Sequence, residues 1–150
     1  MLIEKKLPLA LFLISLLFAT RSFAVGWEEV AKDDLQARGI EIQVEYKQND
    51  QCHQLQISLP RQLQFEALGT RLFAQVQLQL IRNKTQGWQI SPVGTRLTLP
   101  VLIDQQSVKI SALCLQDEDL SVAYLSAVYS DVAKGVPMLV VIDLSEFRGG

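Results

Sequence analysis

Cys52 and His53 stand side by side in the chain. A thiolate next to an imidazole is the chemistry of nucleophilic catalysis, provided the thiol is free and a third group orients the ring. Cys114 follows 62 residues later, and the chain holds 2 cysteines and 1 histidine in all. In an oxidising compartment such a pair forms a single bridge, so Cys52–Cys114 is expected to be a disulfide. A bridged Cys52 has no nucleophile to offer, and strand alternation sends Cys52 and His53 to opposite faces. The same two assignments leave too few nitrogen and sulfur ligands for zinc or copper. No catalytic, cofactor-binding or metal-ligating residue is assigned on these grounds, and no cofactor is expected.

Asp117-Glu118-Asp119 gathers three carboxylates. Calcium collects oxygen ligands of this kind from loops, but the spaced Asp-x-Asp-x-Asp-Gly pattern is missing, which favours a solvated acidic turn. A pair of carboxylates from distant strands would serve a small secreted hydrolase, the alternative to a non-catalytic reading. Neither Gly-x-Ser-x-Gly nor a phosphate-cradling glycine loop occurs. Trp27, Trp88, Tyr124 and Tyr129 are candidate ligand-stacking aromatics for a sugar or another flat ligand; the same residue types also fill cores. Asn83-Lys84-Thr85 matches a glycosylation acceptor, relevant only to a host with an endoplasmic reticulum.

The first 24 residues read as a cleaved signal peptide. Lys5 and Lys6 precede an apolar run from Leu7 to Ala19, and Ser22-Phe23-Ala24 puts small residues at positions −3 and −1, so cleavage is expected between Ala24 and Val25. An uncleaved anchor is the rival reading. It needs about 20 apolar residues, and Arg21 closes the run early. The expected location is therefore the periplasm or the exterior, with a bacterial periplasm preferred on the short Lys-Lys start.

Residues 25–150 then form one expected domain with 11 basic and 15 acidic side chains, a formal charge of −4. The cations are scattered singly, which disfavours nucleic acid and anionic membrane surfaces as partners. No stable membrane insertion is expected after cleavage.

The elements that must position these residues follow a two-residue period. Trp27 to Arg38 carries a loose apolar stripe ending at Gly39, which predicts a short helix. Ile40, Ile42, Val44 and Tyr46 alternate with polar residues, and Leu55, Ile57 and Leu59 do so again up to Pro60, predicting a hairpin around Asn49-Asp50. From Arg71 to Arg82 the pattern places Leu72, Ala74, Val76, Leu78 and Leu80 on one face and Gln75, Gln77 and Gln79 on an exposed amide face. Shorter strands are predicted at 87–90 and at Thr95–Val101, and a longer one at Gln106–Leu115 with Cys114 inward. A bulge or loop must then bring Cys52 to it. Residues 118–134 carry both helix boundaries and β-branched content; a strand from Leu120 to Ser130 is favoured. Met138–Leu144 reads as a buried strand before a short tail.

The fold class expected is mainly β: an antiparallel β-sandwich of seven or eight strands. The spacing of the cysteines resembles that of immunoglobulin domains, but Phe65 and Ala112 occupy the neighbourhoods where those domains carry Trp and Tyr, so the architecture is expected without the family. The function expected is that of an exported binding or interaction domain, with another envelope or secreted protein as its partner.

Overall fold

The two-residue period becomes ten strands in two sheets, seen in a computed structural model that describes residues 26–66, 68–81, 95–131 and 135–149. Sheet I runs in the order β1 (Gly26–Glu29), β10 (Met138–Asp143), β9 (Ala123–Ser130), β5 (Gly69–Leu80) and β4 (Gln62–Phe65), with β6 (Thr95–Thr98) also paired to β5. Sheet II runs β2 (Glu41–Lys47), β3 (Cys52–Pro60), β8 (Ser107–Leu115) and β7 (Leu102–Ile103). The fold is mainly β with two packed sheets, as expected, but the strand count exceeds seven or eight because four-residue and two-residue edge strands add to it. Sheet I is not a flat layer. It curls until its end strands β1 and β4 share the contacts of one side chain, Arg38.

Several local expectations are corrected. The helix predicted from Trp27 to Arg38 is instead β1 followed by two 3₁₀ turns, Lys32–Asp34 and Gln36–Arg38. Parallel pairing of Gly26–Glu29 with Met138–Val141 outweighs the weak helical stripe. The stop at Gly39 is as read: its φ of 70° is a left-handed geometry that glycine adopts without strain. Between 117 and 134 both signals are used. Asp117–Leu120 forms a single helical turn, α1, and the strand begins at Ala123 rather than Leu120. The tail is not loose either, since Leu144 and Phe147 are buried in a 3₁₀ turn capped by Asp143, whose carboxylate accepts from the Ser145 amide at 2.9 Å.

Two bulges overturn the parity assignments. In β8 the pairing passes from Ile57–Ile110 to Leu55–Leu113, so two residues stand opposite Gln56. Alternation is thereby shifted: Val108 and Ile110 are buried before the bulge and Leu115 after it, while Cys114 is exposed rather than inward. In β5 the register moves between Phe73 and Gln75 with Ala74 as the extra residue. Leu72 and Ala74 are consequently exposed, whereas Val76 and Leu78 lie in the core. Gln79 does not belong to an exposed amide face; it is buried opposite Tyr124.

The main core holds Leu55, Ile57 and Leu59 of sheet II against Val76, Leu125, Val140 and Ile142 of sheet I. Tyr129 is fully buried within it, edge-on to Phe65 at 6.1 Å and Phe73 at 5.9 Å. Its hydroxyl donates to the Pro60 carbonyl at 2.8 Å, joining β9 of one sheet to β3 of the other and satisfying a polar group that burial would otherwise leave costly. Burial also pushes the Tyr129 phenol well above its ordinary acidity. A second, smaller cluster of Ile81, Tyr124 and Val141 lies apart from this core.

Candidate functional site

The curl of sheet I leaves a cleft of about 410 Å³ between β1 and β4. Its walls come from four segments. Trp27 and Glu28 of β1 border it from opposite faces of the strand, joined by Met138 at the start of β10, Phe65 at the end of β4, Glu66 and Leu68 in the β4–β5 turn, and Arg38 of the second 3₁₀ turn. Phe65 and Met138 are buried and form the floor, Leu68 is 42% exposed at the edge, and Trp27, 45% exposed, shares the Leu139 side of sheet I. Three charged residues, Glu28, Arg38 and Glu66, share the lining with these apolar ones.

Arg38 determines the charge. One guanidinium nitrogen donates to Glu28 Oε2 at 2.9 Å, another to the Gln64 carbonyl at 3.1 Å, and the group lies 5.5 Å from the Phe65 ring centroid. The cation is therefore compensated on the β1 side and anchored on the β4 side. Glu66 has no ion pair among the described residues.

The four candidate stacking aromatics do not make one platform. Trp27 lies at the cleft, Tyr129 is in the main core, and Tyr124 is buried in the second cluster, where burial first and the Asp143 carboxylate next raise its pKa. Trp88 lies outside the described residues, as do the 87–90 strand, Asn83-Lys84-Thr85, the leader and the Ala24–Val25 junction. Arg38, Glu66, Leu68 and Met138 were not signalled by the sequence. The available sign was Leu68 beside Gly69, an apolar residue spent on a turn.

The disulfide is present: Cys52 on β3 and Cys114 on β8 are joined, with Cα atoms 5.6 Å apart. These are neighbouring strands of sheet II, so the bridge staples one sheet and does not join the two, unlike the immunoglobulin arrangement. The β8 bulge falls between Ile110 and Leu113, just before Cys114, and is the irregularity the parity of the bridge required. His53 turns elsewhere. Its ring lies 5.1 Å from that of Tyr46, and its Nε2 is 3.3 Å from Asp117 Oδ1. Arg148 grips the same carboxylate with two donors, Nε to Oδ1 at 3.0 Å and Nη2 to Oδ2. Arg148 chiefly, with His53 adding to it, holds the Asp117 carboxyl below its ordinary pKa.

Asp117 is thereby committed to a fork-shaped ion pair that fastens the C-terminal segment to α1 and β3, a mechanical role. Among the described residues no three His, Cys, Asp or Glu side chains converge as metal ligands. Asp104 and Asp117 both shift toward permanent ionisation, the reverse of what a general acid requires. No family model, curated protein or solved structure matches the chain.

Proposed function

We propose that this chain is an exported, non-catalytic binding domain whose site is the cleft between β1 and β4. The observation that carries the reading is the cleft itself: a concavity of about 410 Å³ at the open ends of a curled sheet, lined by the buried Phe65 and Met138 with Leu68 exposed at its edge. We read the two packed sheets as a sandwich with one curled layer. The stapled sheet II and the Tyr129–Pro60 tie between sheets make that frame rigid, which lowers the entropy lost when a partner is held.

Export is supported by the Cys52–Cys114 bridge, since such bonds persist in oxidising compartments, and by the leader pattern of residues 1–24. The partner expected is another envelope or secreted protein. The test is retention from the native host: a tagged wild-type chain should hold a partner that a Leu68→Asp chain of unchanged fold releases. Equal retention by both would remove the cleft from the account.

A further inference from the structure

We infer that this chain forms a symmetric dimer by pairing strand β2 with β2 of a second copy, antiparallel and centred on Val44. β2 stands at one end of sheet II and, among the described residues, pairs only with β3. It runs for 7 residues, Glu41–Lys47, all in continuous register against β3, and contains neither proline, glycine nor bulge. The other edge strands, β1, β4, β6 and β7, have 4, 4, 4 and 2 residues. Shortness protects such edges from pairing with another chain. β2 lacks that protection and leaves a row of main-chain donors and acceptors facing outward. This edge belongs to sheet II and the cleft to sheet I, so the dimer goes beyond the binding reading above and does not depend on it.

Charge selects both the occupant and the register. About a centre at Val44, Glu41 stands opposite Lys47 of the second copy, Ile42 opposite Tyr46, Gln43 opposite Glu45, and Val44 opposite its own counterpart. Two-fold symmetry repeats the Glu41–Lys47 pair, so opposite charges meet at both ends of the strand and no like charges are opposed. Sliding one copy by two residues sets Glu41 against Glu45 in one direction and Glu45 against Glu45 in the other, both unfavourable. Lys47 already lies 2.7 Å from Glu45 of its own chain, and its three ammonium donors can serve that carboxylate and the opposing Glu41 together. Pairing also covers Tyr46, which is 55% exposed, with Ile42 of the other copy, an aromatic and β-branched combination that stabilises a ladder. Ile42 and Val44 are partly buried against the main core, so the apolar layer continues across the two-fold axis.

The test is sedimentation of the full chain, expressed with its own leader and purified with the disulfide intact. At high micromolar concentration it should sediment as a dimer that dilution dissociates. Glu41→Lys sets like charges opposite at both ends of the strand, and so does Lys47→Glu, so each variant alone should dimerise about tenfold more weakly or worse. Mixed together, the two variants restore both opposite pairs and should form a mixed dimer, seen with a fluorophore on one of them. Amide exchange of the unsubstituted chain needs no variant to fold: protection in β2 should fall on dilution while protection in β4 stays the same. A chain that remains monomeric, a dimer that neither substitution weakens, folded variants that fail to pair when mixed, or β2 amides indifferent to dilution would each overturn the dimer. The cleft reading survives any of these results.

Discussion

Arg38 donates to Glu28 on β1 at 2.9 Å and, through its other terminal nitrogen, to the Gln64 carbonyl on β4 at 3.1 Å. One side chain thus sets the width of the opening between the two ends of a curled sheet. The Arg38→Met variant keeps most of the stem that packs near Phe65 and loses both bonds. It should be less stable by about 1–2 kcal/mol in urea unfolding, within the range for charge-assisted hydrogen bonds at partly exposed sites. Arg38→Lys should recover only part of that loss, because an ammonium lacks the planar fork.

Tyr129→Phe tests the tie between the sheets. Removing the hydroxyl leaves the Pro60 carbonyl without this donor, and the expected cost is about 1–2 kcal/mol, seen as a lower urea midpoint at an unchanged m value. The same residue predicts alkaline behaviour. Its folded pKa is raised above the ordinary 10.0, so the unfolded chain releases the proton first, and the stabilisation is full below about pH 10 and declines as pH rises beyond it. Tyr129→Phe should flatten that decline.

The disulfide joins two strands of sheet II across a sequence separation of 62 residues, a loop that includes β4, β5 and β6 of sheet I. Replacing both cysteines by serine should lower stability by about 2–4 kcal/mol, since the unfolded chain regains the freedom the bridge denied it. The wild-type chain should unfold at the same lowered midpoint once reduced, with reduction followed by mass.

Acid sensitivity should come from Asp104 and Asp117. The Asp104 carboxyl is held down to about 2, first by the Gln106 amide and then by the Ser107 amide and hydroxyl, across the β7–β8 turn. Asp117 is lowered by Arg148 first. Depressed carboxylates contribute stability that is present above their ordinary 3.8 and lost as pH falls through the folded values. Unfolding midpoints should therefore drop between about pH 4 and 2, and Asp104→Asn should show a shallower drop than wild type.

Much of the β framework was legible because strands such as Glu41–Lys47 and Met138–Asp143 are written as alternating or continuous apolar runs. The parts that were not legible depend on events outside any single strand. Cys114 faces out because the register against β3 slips by one residue, and Leu72 faces out for the same reason in β5. Strand β1 is fixed by a partner 112 positions away, Gly26 against Met138, and its own four residues carry no such signal. Of the candidate site, Trp27 was singled out from its type alone. Its companions Arg38, Phe65, Glu66, Leu68 and Met138 converge only through the curl of sheet I, which no local pattern encodes.

The central claim is that the partner seats at the β1–β4 cleft, and site-specific photocrosslinking in the native host tests it most directly. A benzoylphenylalanine placed at Leu68, on the rim, should capture a partner in one discrete adduct, and the same group at the exposed Glu118 of α1 should capture none. Adducts of equal yield at both positions, or at Glu118 alone, would contradict the account.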